Sequence, residues 1–377
     1  MKISKKEHLD AMKSNSLALA ECNGTVRPYI TAAWGHQFHL QQIDTYTRAV
    51  LHELLKRSQS RVSQTRYIES LQKTDLPFLC HLKTCLNQIL HEQPWHQLNP
   101  YITLFSQMIN DDVILWDDSF YDTAYPLYIE RDDDKFTKAD RWKRAIETLY
   151  QRGTTKAFKK KVENFIRPGN KKHKEFEQYV NDLSLQHPSL FTVRADMGYE
   201  KPRGWPSDLS NSIRFEEVQK HLSAFTRRIK SKFASNYLVG YAFKIEHSLH
   251  QGFQIQALFI FNGDNAKNDT ALADRLNTIW KSDATAGIGL FFDWSDSKVT
   301  IKSCGSGLIR WDDQDARDAL RKAVAYMTKT EHYMTIRPPK GIRVFRKGRI
   351  SRGSVVPIAK RAPPIHLSPN APLATYT

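Results

Sequence analysis

Apolar residues recur every three or four positions through the first third of the chain. The pattern runs from about 5 to 110 and is clearest over 43–54 and 71–90. This spacing places apolar side chains along one face of a helix. We therefore predict a mainly helical domain over residues 1–130, whose role the sequence does not indicate.

Two basic segments continue the helical pattern. The first covers about 138–165 and is expected to end at Pro168 and Gly169, because proline removes a helical hydrogen bond and clashes with the preceding turn. The second covers 171–186 and ends before a further proline. Together they predict a basic helical connector over residues 131–188.

The C-terminal half alternates between strand-like and helix-like segments. The predicted strands are 190–197, 237–247, 253–262, 287–293 and 298–304, and the predicted helices are 214–233, 266–281 and 312–331. Hairpins mixed with crossover helices indicate an α+β domain over 189–348, with an antiparallel sheet of the split βαβ, ferredoxin-like kind. Residues 349–377 are rich in proline, lack apolar periodicity and are predicted to be disordered.

Composition limits where in the cell the protein is expected. The 377 residues contain no apolar run of membrane-spanning length, and the N-terminus lacks the apolar core of a signal peptide. The four cysteines are scattered without zinc-site spacing, which favours reduced thiols. We expect a cytoplasmic protein with no membrane partner.

The net charge of +16 indicates a polyanionic partner. Lysine and arginine are concentrated in three stretches, 156–174, 227–232 and 337–361. One such run is usually a solvated helix face, but three together favour nucleic acid. The predicted DNA contacts are Arg227, Arg228, Lys230, Arg343, Arg346 and Lys347.

Two glutamines interrupt the apolar strand 253–262. Side chains alternate along a strand, so Gln254 and Gln256 lie on one face, opposite Phe253 and Ile255. Hairpin pairing could bring the Glu246 carboxylate to the same face. Alternatively, the glutamines are solvent-facing residues of a half-buried strand and Glu246 is a surface carboxylate on an edge strand.

A tyrosine and a lysine lie three residues apart near the end of the last predicted helix. Tyr326 and Lys329 fall close to one helix face and suggest a nucleophile and a cation. A tyrosine at the buried edge of a helix is otherwise a packing residue. Tyr333 is expected to pack as an aromatic residue, since the helix should end near His332.

These pieces resemble the active-site elements of the HUH endonucleases, which nick single-stranded DNA to start rolling-circle replication. Segment 189–199 resembles the first strand, 246–262 the metal-binding hairpin, and Tyr326 with Lys329 the tyrosine motif. Residues from about 190 to 348 more narrowly resemble the C-terminal domain of inovirus-like replication proteins carried by proteobacterial prophages. The stretches that carry this likeness are Glu246 ahead of Gly252 and Phe253, the segment 326–333, and the segment 343–348.

The resemblance implies a reaction and a metal site. Tyr326 would attack a phosphodiester to give a 5′-phosphotyrosine and a free 3′-hydroxyl, with Lys329 adding positive charge. Mg²⁺ or Mn²⁺ would be held by Glu246, Gln254 and Gln256. The family usually has two histidines where this chain has the glutamines, so metal affinity should be lower. Asp196 would contact the metal or Arg194, or cap a turn.

The leading hypothesis is a metal-dependent single-strand DNA endonuclease and strand transferase that initiates phage or prophage replication. Its partners would be single-stranded or origin DNA and host replication proteins. The alternative is a degenerate, non-cleaving DNA-binding protein derived from such an initiator. Single-stranded RNA binding on the sheet face is a third hypothesis.

Overall fold

The structure is a computed structural model. It describes residues 17–22, 25–30, 33–92, 96–110, 138–200, 213–248, 252–266, 269, 271–294, 305–329 and 333–350. The predicted strand 298–304 and nearly all of the predicted tail 349–377 lie outside the described residues.

The described elements alternate between long helices and strands. In chain order they are β1 (Leu17–Cys22), β2 (Thr25–Ile30), α1 (Ala33–Lys56), α2 (Arg61–Glu92), β3 (His96–Leu98), α3 (Pro100–Asn110), α4 (Lys138–Gly153), α5 (Lys156–Gln186), β4 (Ser189–Tyr199), α6 (Phe215–Lys232), β5 (Leu238–Ser248), β6 (Gly252–Asn262), α7 (Gly263–Ala266), α8 (Leu272–Thr278), β7 (Gly289–Asp293), β8 (Gly307–Arg310), α9 (Gln314–Lys329), β9 (Met334–Ile336) and β10 (Phe345–Lys347). A π-helical turn, Ile279–Ala284, continues α8. No helix in these parts of the chain is both long and apolar enough to cross a membrane.

The chain forms two compact units. One contains Gly35–Pro168 with His332–Thr335, and the other contains Met1–Trp34, Gly169–Glu331 and Ile336–Thr377. The first unit is helical, and its buried side chains include Leu40, Ile43, Leu54, Leu82, Leu86, Ile102, Phe105, Ile146 and Leu149. The boundary between the two units at Pro168 falls inside the predicted connector 131–188. That residues 1–130 and 189–348 fold as separate domains stays a prediction.

The second unit is built on an antiparallel sheet, which confirms the predicted α+β class. Its strands follow the order β10-β5-β6-β4-β7, and β8 pairs with β4 as well. Strand β6 lies between β4 and β5 and is antiparallel to both. Strands β7 and β8 pair with opposite ends of β4 along the same edge.

One face of this sheet, here called the α6 face, is apolar from end to end. It carries Val193, Ala195 and Met197 of β4 and alternate residues of β6 from Phe253 to Phe261. Helix α6 covers it through residues spaced three and four apart, namely Val218, Leu222, Phe225 and Ile229. This layer closes one side of the sheet to water.

The opposite face, here called the site face, divides into an apolar end and a polar end. At the apolar end Leu258 and Ile260 of β6 pack with the C-terminal half of α5 and with α9. Further along the same face, β6 carries Gln256 and Gln254. The helices that anchor on the apolar end therefore stand beside a buried polar patch.

Three local predictions differ from the structure. Residues 17–22 and 25–30 form a hairpin, although the pattern there predicted helix. Strand β8 at 307–310 was not predicted. Helix α5 passes through Pro168, where a stop was expected, because packing of Phe176 and Leu183 downstream offsets the missing hydrogen bond.

Candidate active site

Three neighbouring strands each place two polar residues on the site face. These are Arg194 and Asp196 on β4, Lys244 and Glu246 on β5, and Gln254 and Gln256 on β6. In register, Asp196 and Lys244 lie opposite Gln256 from its two sides, and Glu246 lies opposite Gln254. All except Glu246 are buried, and Glu246 is partly buried. The glutamines are therefore not solvent-facing.

Gln256 connects the strand residues to the helix above them. Its Nε2 donates one hydrogen bond to Glu246 Oε2 at 3.0 Å and another to the Tyr326 hydroxyl oxygen at 3.0 Å. The opposite amide orientation would point Oε1 at the Glu246 carboxylate, acceptor against acceptor. Gln256 Oε1 is buried and has no hydrogen-bond partner among the described residues.

Helix α9 holds Tyr326 over this patch. Leu320, Val324 and Met327 pack into the apolar end of the site face, and Tyr326 follows at its rim, half-buried. Next to it, the Thr328 hydroxyl oxygen lies 3.0 Å from His173 Nδ1 of α5. The position of the phenol is thus fixed by packing on one side and by the Gln256 hydrogen bond on the other.

A buried arginine lies against the tyrosine ring. The Arg194 guanidinium carbon is 4.4 Å from the ring centroid of Tyr326 and 5.0 Å from that of Trp294. The backbone N–H of Trp294 donates to the Arg194 carbonyl at 3.0 Å, which holds the second ring in place. A cation this close to a phenol favours negative charge on its oxygen.

Lys244 and Glu246 form an ion pair inside the sheet face. Lys244 Nζ lies 2.7 Å from Glu246 Oε1, and the exposed fractions of the two side chains are 3% and 16%. β5 is not an edge strand at this point, because β10 pairs with residues 242–244. A buried ammonium is costly unless a carboxylate compensates it, so the two charges depend on each other.

Burial changes the protonation of Asp196. Burial raises the pKa of its carboxyl to about 6, against the lowering effect of Arg194 and Trp294. Its Oδ1 has no hydrogen-bond partner among the described residues. The Asp196 carboxyl therefore loses its proton near pH 6, within the pH range of ordinary experiments.

Replacing Asp196 by asparagine should change how stability depends on pH. A carboxyl whose pKa is raised on folding, from 3.8 to about 6, stabilises the fold below pH 4, and this contribution is lost as pH rises through 6. Asp196→Asn should match the wild type near pH 4 and exceed it by on the order of 3 kcal/mol at pH 8. Urea unfolding at both pH values measures this. A difference that does not vary with pH would contradict the assignment.

As arranged, the predicted ligands do not fit a divalent ion, because Gln256 presents its Nε2, and not its Oε1, to the Glu246 carboxylate. Such an ion needs several converging oxygens. Both Glu246 oxygens already accept hydrogen bonds, one from Lys244 Nζ and one from Gln256 Nε2. Among the described side chains, no three His, Cys, Asp or Glu residues are grouped as a metal site requires.

The structure brings together some of the predicted site residues. Gln256 is hydrogen-bonded to both Glu246 and Tyr326, and Gln254 lies opposite Glu246 in register. Lys329 ends α9, and its side chain lies outside the described residues. Its predicted role stays a prediction.

Four of the six predicted DNA contacts lie on the α6 side of the sheet. Arg227, Arg228 and Lys230 are exposed on α6, which covers the face opposite Tyr326. Arg343 is exposed, while Arg346 reaches α6 through Ser223 Oγ at 3.3 Å. Lys347 instead lies over the Tyr179 ring, 4.7 Å from its centroid, among the residues that cover the site face. DNA binding by these six residues stays a prediction.

Sequence reasoning missed Lys244 and gave Arg194 no role of its own. The signal was the spacing: each of three strands carries two polar residues two positions apart within an apolar run, which places both on one buried face.

Comparison with known proteins adds no relative: no family model, curated protein or solved structure matches this chain.

Proposed function

We propose that this protein is a cytoplasmic rolling-circle replication initiator of the HUH type, which nicks single-stranded origin DNA through Tyr326. The observation that carries the proposal is the hydrogen bond from Gln256 to the Tyr326 hydroxyl, beside Glu246 and two buried cations. A phenol serving only to fill space at a helix rim does not need such surroundings.

The topology of the sheet supports the same proposal. Helix α6 links β4 to β5 while β6 lies between them, and α8 links β6 to β7 while β4 lies between those two. Two split βαβ units would be connected in this way, which supports a ferredoxin-like fold. The tyrosine helix α9 then packs on the sheet face that the first crossover helix leaves open.

The proposed reaction is a transesterification at phosphorus. The Tyr326 hydroxyl oxygen forms a bond to phosphorus and gives its proton to solvent. The bond from phosphorus to the 3′ oxygen breaks, and that oxygen takes the bonding electrons and a proton from solvent to become a 3′-hydroxyl. The Gln256 amide and Arg194 stabilise the negative charge that develops on the attacking oxygen.

The reaction leaves two distinctive DNA ends. The substrate is a labelled single strand from the origin of the protein's own element. Cleavage should yield an upstream fragment whose 3′-hydroxyl a polymerase can extend. The downstream fragment should stay attached to the protein through its 5′ end. We expect both products from the wild type. Cleavage that gives a free 5′-phosphate would contradict a tyrosine intermediate.

A non-cleaving DNA-binding protein is the second candidate. The observation in its favour is that the Tyr326 hydroxyl and both Glu246 oxygens are engaged in hydrogen bonds within the patch, as in a structural polar network. On this account the wild type binds the strand without cutting it. Gln254→His with Gln256→His, the pair that the resembled family carries, would then restore cleavage in Mg²⁺ or Mn²⁺.

A further inference from the structure

The position of Lys244 in the sheet is unusual. It lies in β5 with hydrogen-bonded strands on both sides, opposite Gln256 of β6 and Phe345 of β10. Its side chain is almost completely buried on the same face as Tyr326. Burying an ammonium group is unfavourable, so a lysine at this place needs a reason beyond packing.

The Lys244 ammonium group lies where a divalent ion bound to Glu246 would supply positive charge. Its ammonium group contacts Glu246 Oε1, and the other oxygen of that carboxylate contacts the amide that holds the Tyr326 hydroxyl. A metal ion bound by Glu246 and the glutamine oxygens would lie against the same carboxylate and supply the same sign of charge. An ammonium group and a divalent ion in contact with the same carboxylate would repel each other.

A second cation lies on the other side of Gln256. Arg194, from β4, stacks on the Tyr326 ring at 4.4 Å. The two cations therefore flank the amide and the phenol from opposite strands, with Glu246 between the amide and Lys244. An anion as small as a phosphodiester would meet one cation from each neighbouring strand, next to the carboxylates Glu246 of β5 and Asp196 of β4.

We infer that Lys244 takes the place of the divalent metal ion, and that with Arg194 it forms a metal-independent site for the scissile phosphodiester. This inference rests on the proposed function for its substrate. The statement that Lys244 occupies the metal position concerns the free protein and can be tested without DNA.

The first experiment measures Mn²⁺ binding to the full-length protein without DNA, from the loss of the free-ion electron paramagnetic resonance signal. We expect the wild type to bind no stoichiometric Mn²⁺. Binding of one equivalent that is lost in Glu246→Gln would overturn the inference. This result does not depend on whether the protein cuts DNA.

The second experiment compares adduct formation with single-stranded DNA in Mg²⁺ and in EDTA. Equal rates are expected in the two buffers, with a loss of about 10²- to 10³-fold in Lys244→Met, the usual effect of removing one group that stabilises transition-state charge. Lys56→Met, a change at an exposed lysine of the other compact unit, is the matched control and should leave the rate unchanged. If Lys244→Met does not fold, Lys244→Gln replaces it.

The outcomes separate the inference from the proposed function. Adduct that forms only with Mg²⁺ overturns the role of Lys244 and leaves the nickase standing. If no adduct forms in either buffer, the nickase fails and the Mn²⁺ titration alone decides whether Lys244 excludes the metal.

Discussion

Tyr326→Phe is expected to abolish covalent attachment to single-stranded DNA. Phenylalanine keeps the ring that packs beside Met327 and under Arg194, and it lacks the oxygen that would attack phosphorus. The stability cost should be small, about 1 kcal/mol, because the hydrogen bond from Gln256 is lost. A denaturing gel with end-labelled DNA measures attachment, and thermal melting measures the fold.

The matched control for this change is Tyr333→Phe. Tyr333 is a buried tyrosine close to Tyr326 in sequence, and burial raises the pKa of its hydroxyl. Its backbone carbonyl accepts a hydrogen bond from Asn99 at 2.7 Å within the helical unit. The variant should form adduct at the wild-type rate. Equal adduct from Tyr326→Phe and wild type would rule out Tyr326 as the nucleophile.

Glu246→Ala is expected to destabilise the fold by about 3–5 kcal/mol. The change removes the carboxylate that compensates the buried Lys244 ammonium, and removing one partner of a buried ion pair is far more costly than removing both. It also removes the acceptor of the Gln256 amide. Urea unfolding of the two proteins at pH 7 measures the loss.

The double variant Lys244→Met with Glu246→Leu is the control. Both charges are replaced by apolar side chains of similar volume, so stability should return to within about 1 kcal/mol of the wild type. A double variant as unstable as Glu246→Ala would show that the loss arises from packing. The coupling of Lys244 to Glu246 would then be unsupported.

The fold of the second unit was predictable where each strand has one apolar and one mixed face. Strands β4, β5 and β6 begin and end close to the predicted bounds, because period-two alternation and the Gly252 turn mark them. Strand β8, only four residues long, has too little pattern to identify and is defined by pairing with β4. The predicted helix end at Pro168 was wrong because tertiary packing of the helix outweighed the local effect of proline.

The parts of the site that depend on the spacing of nearby residues were predictable. Alternation placed Gln254 and Gln256 on one face, and hairpin register placed Glu246 beside them. Sequence gave no means of knowing that α9 would set the Tyr326 hydroxyl 3.0 Å from Gln256, because 70 residues separate them. Lys244 was overlooked because lysines on strands are usually solvated, and its burial depends on neighbouring β10.

The most direct test of the central claim is to identify the residue bonded to DNA. Wild-type protein is incubated with single-stranded origin DNA, the DNA is digested to a short remnant, and tryptic peptides are sequenced by mass spectrometry. The account predicts a nucleotide joined through phosphate to the peptide that contains Tyr326. A remnant on another residue, or noncovalent binding alone, would contradict it.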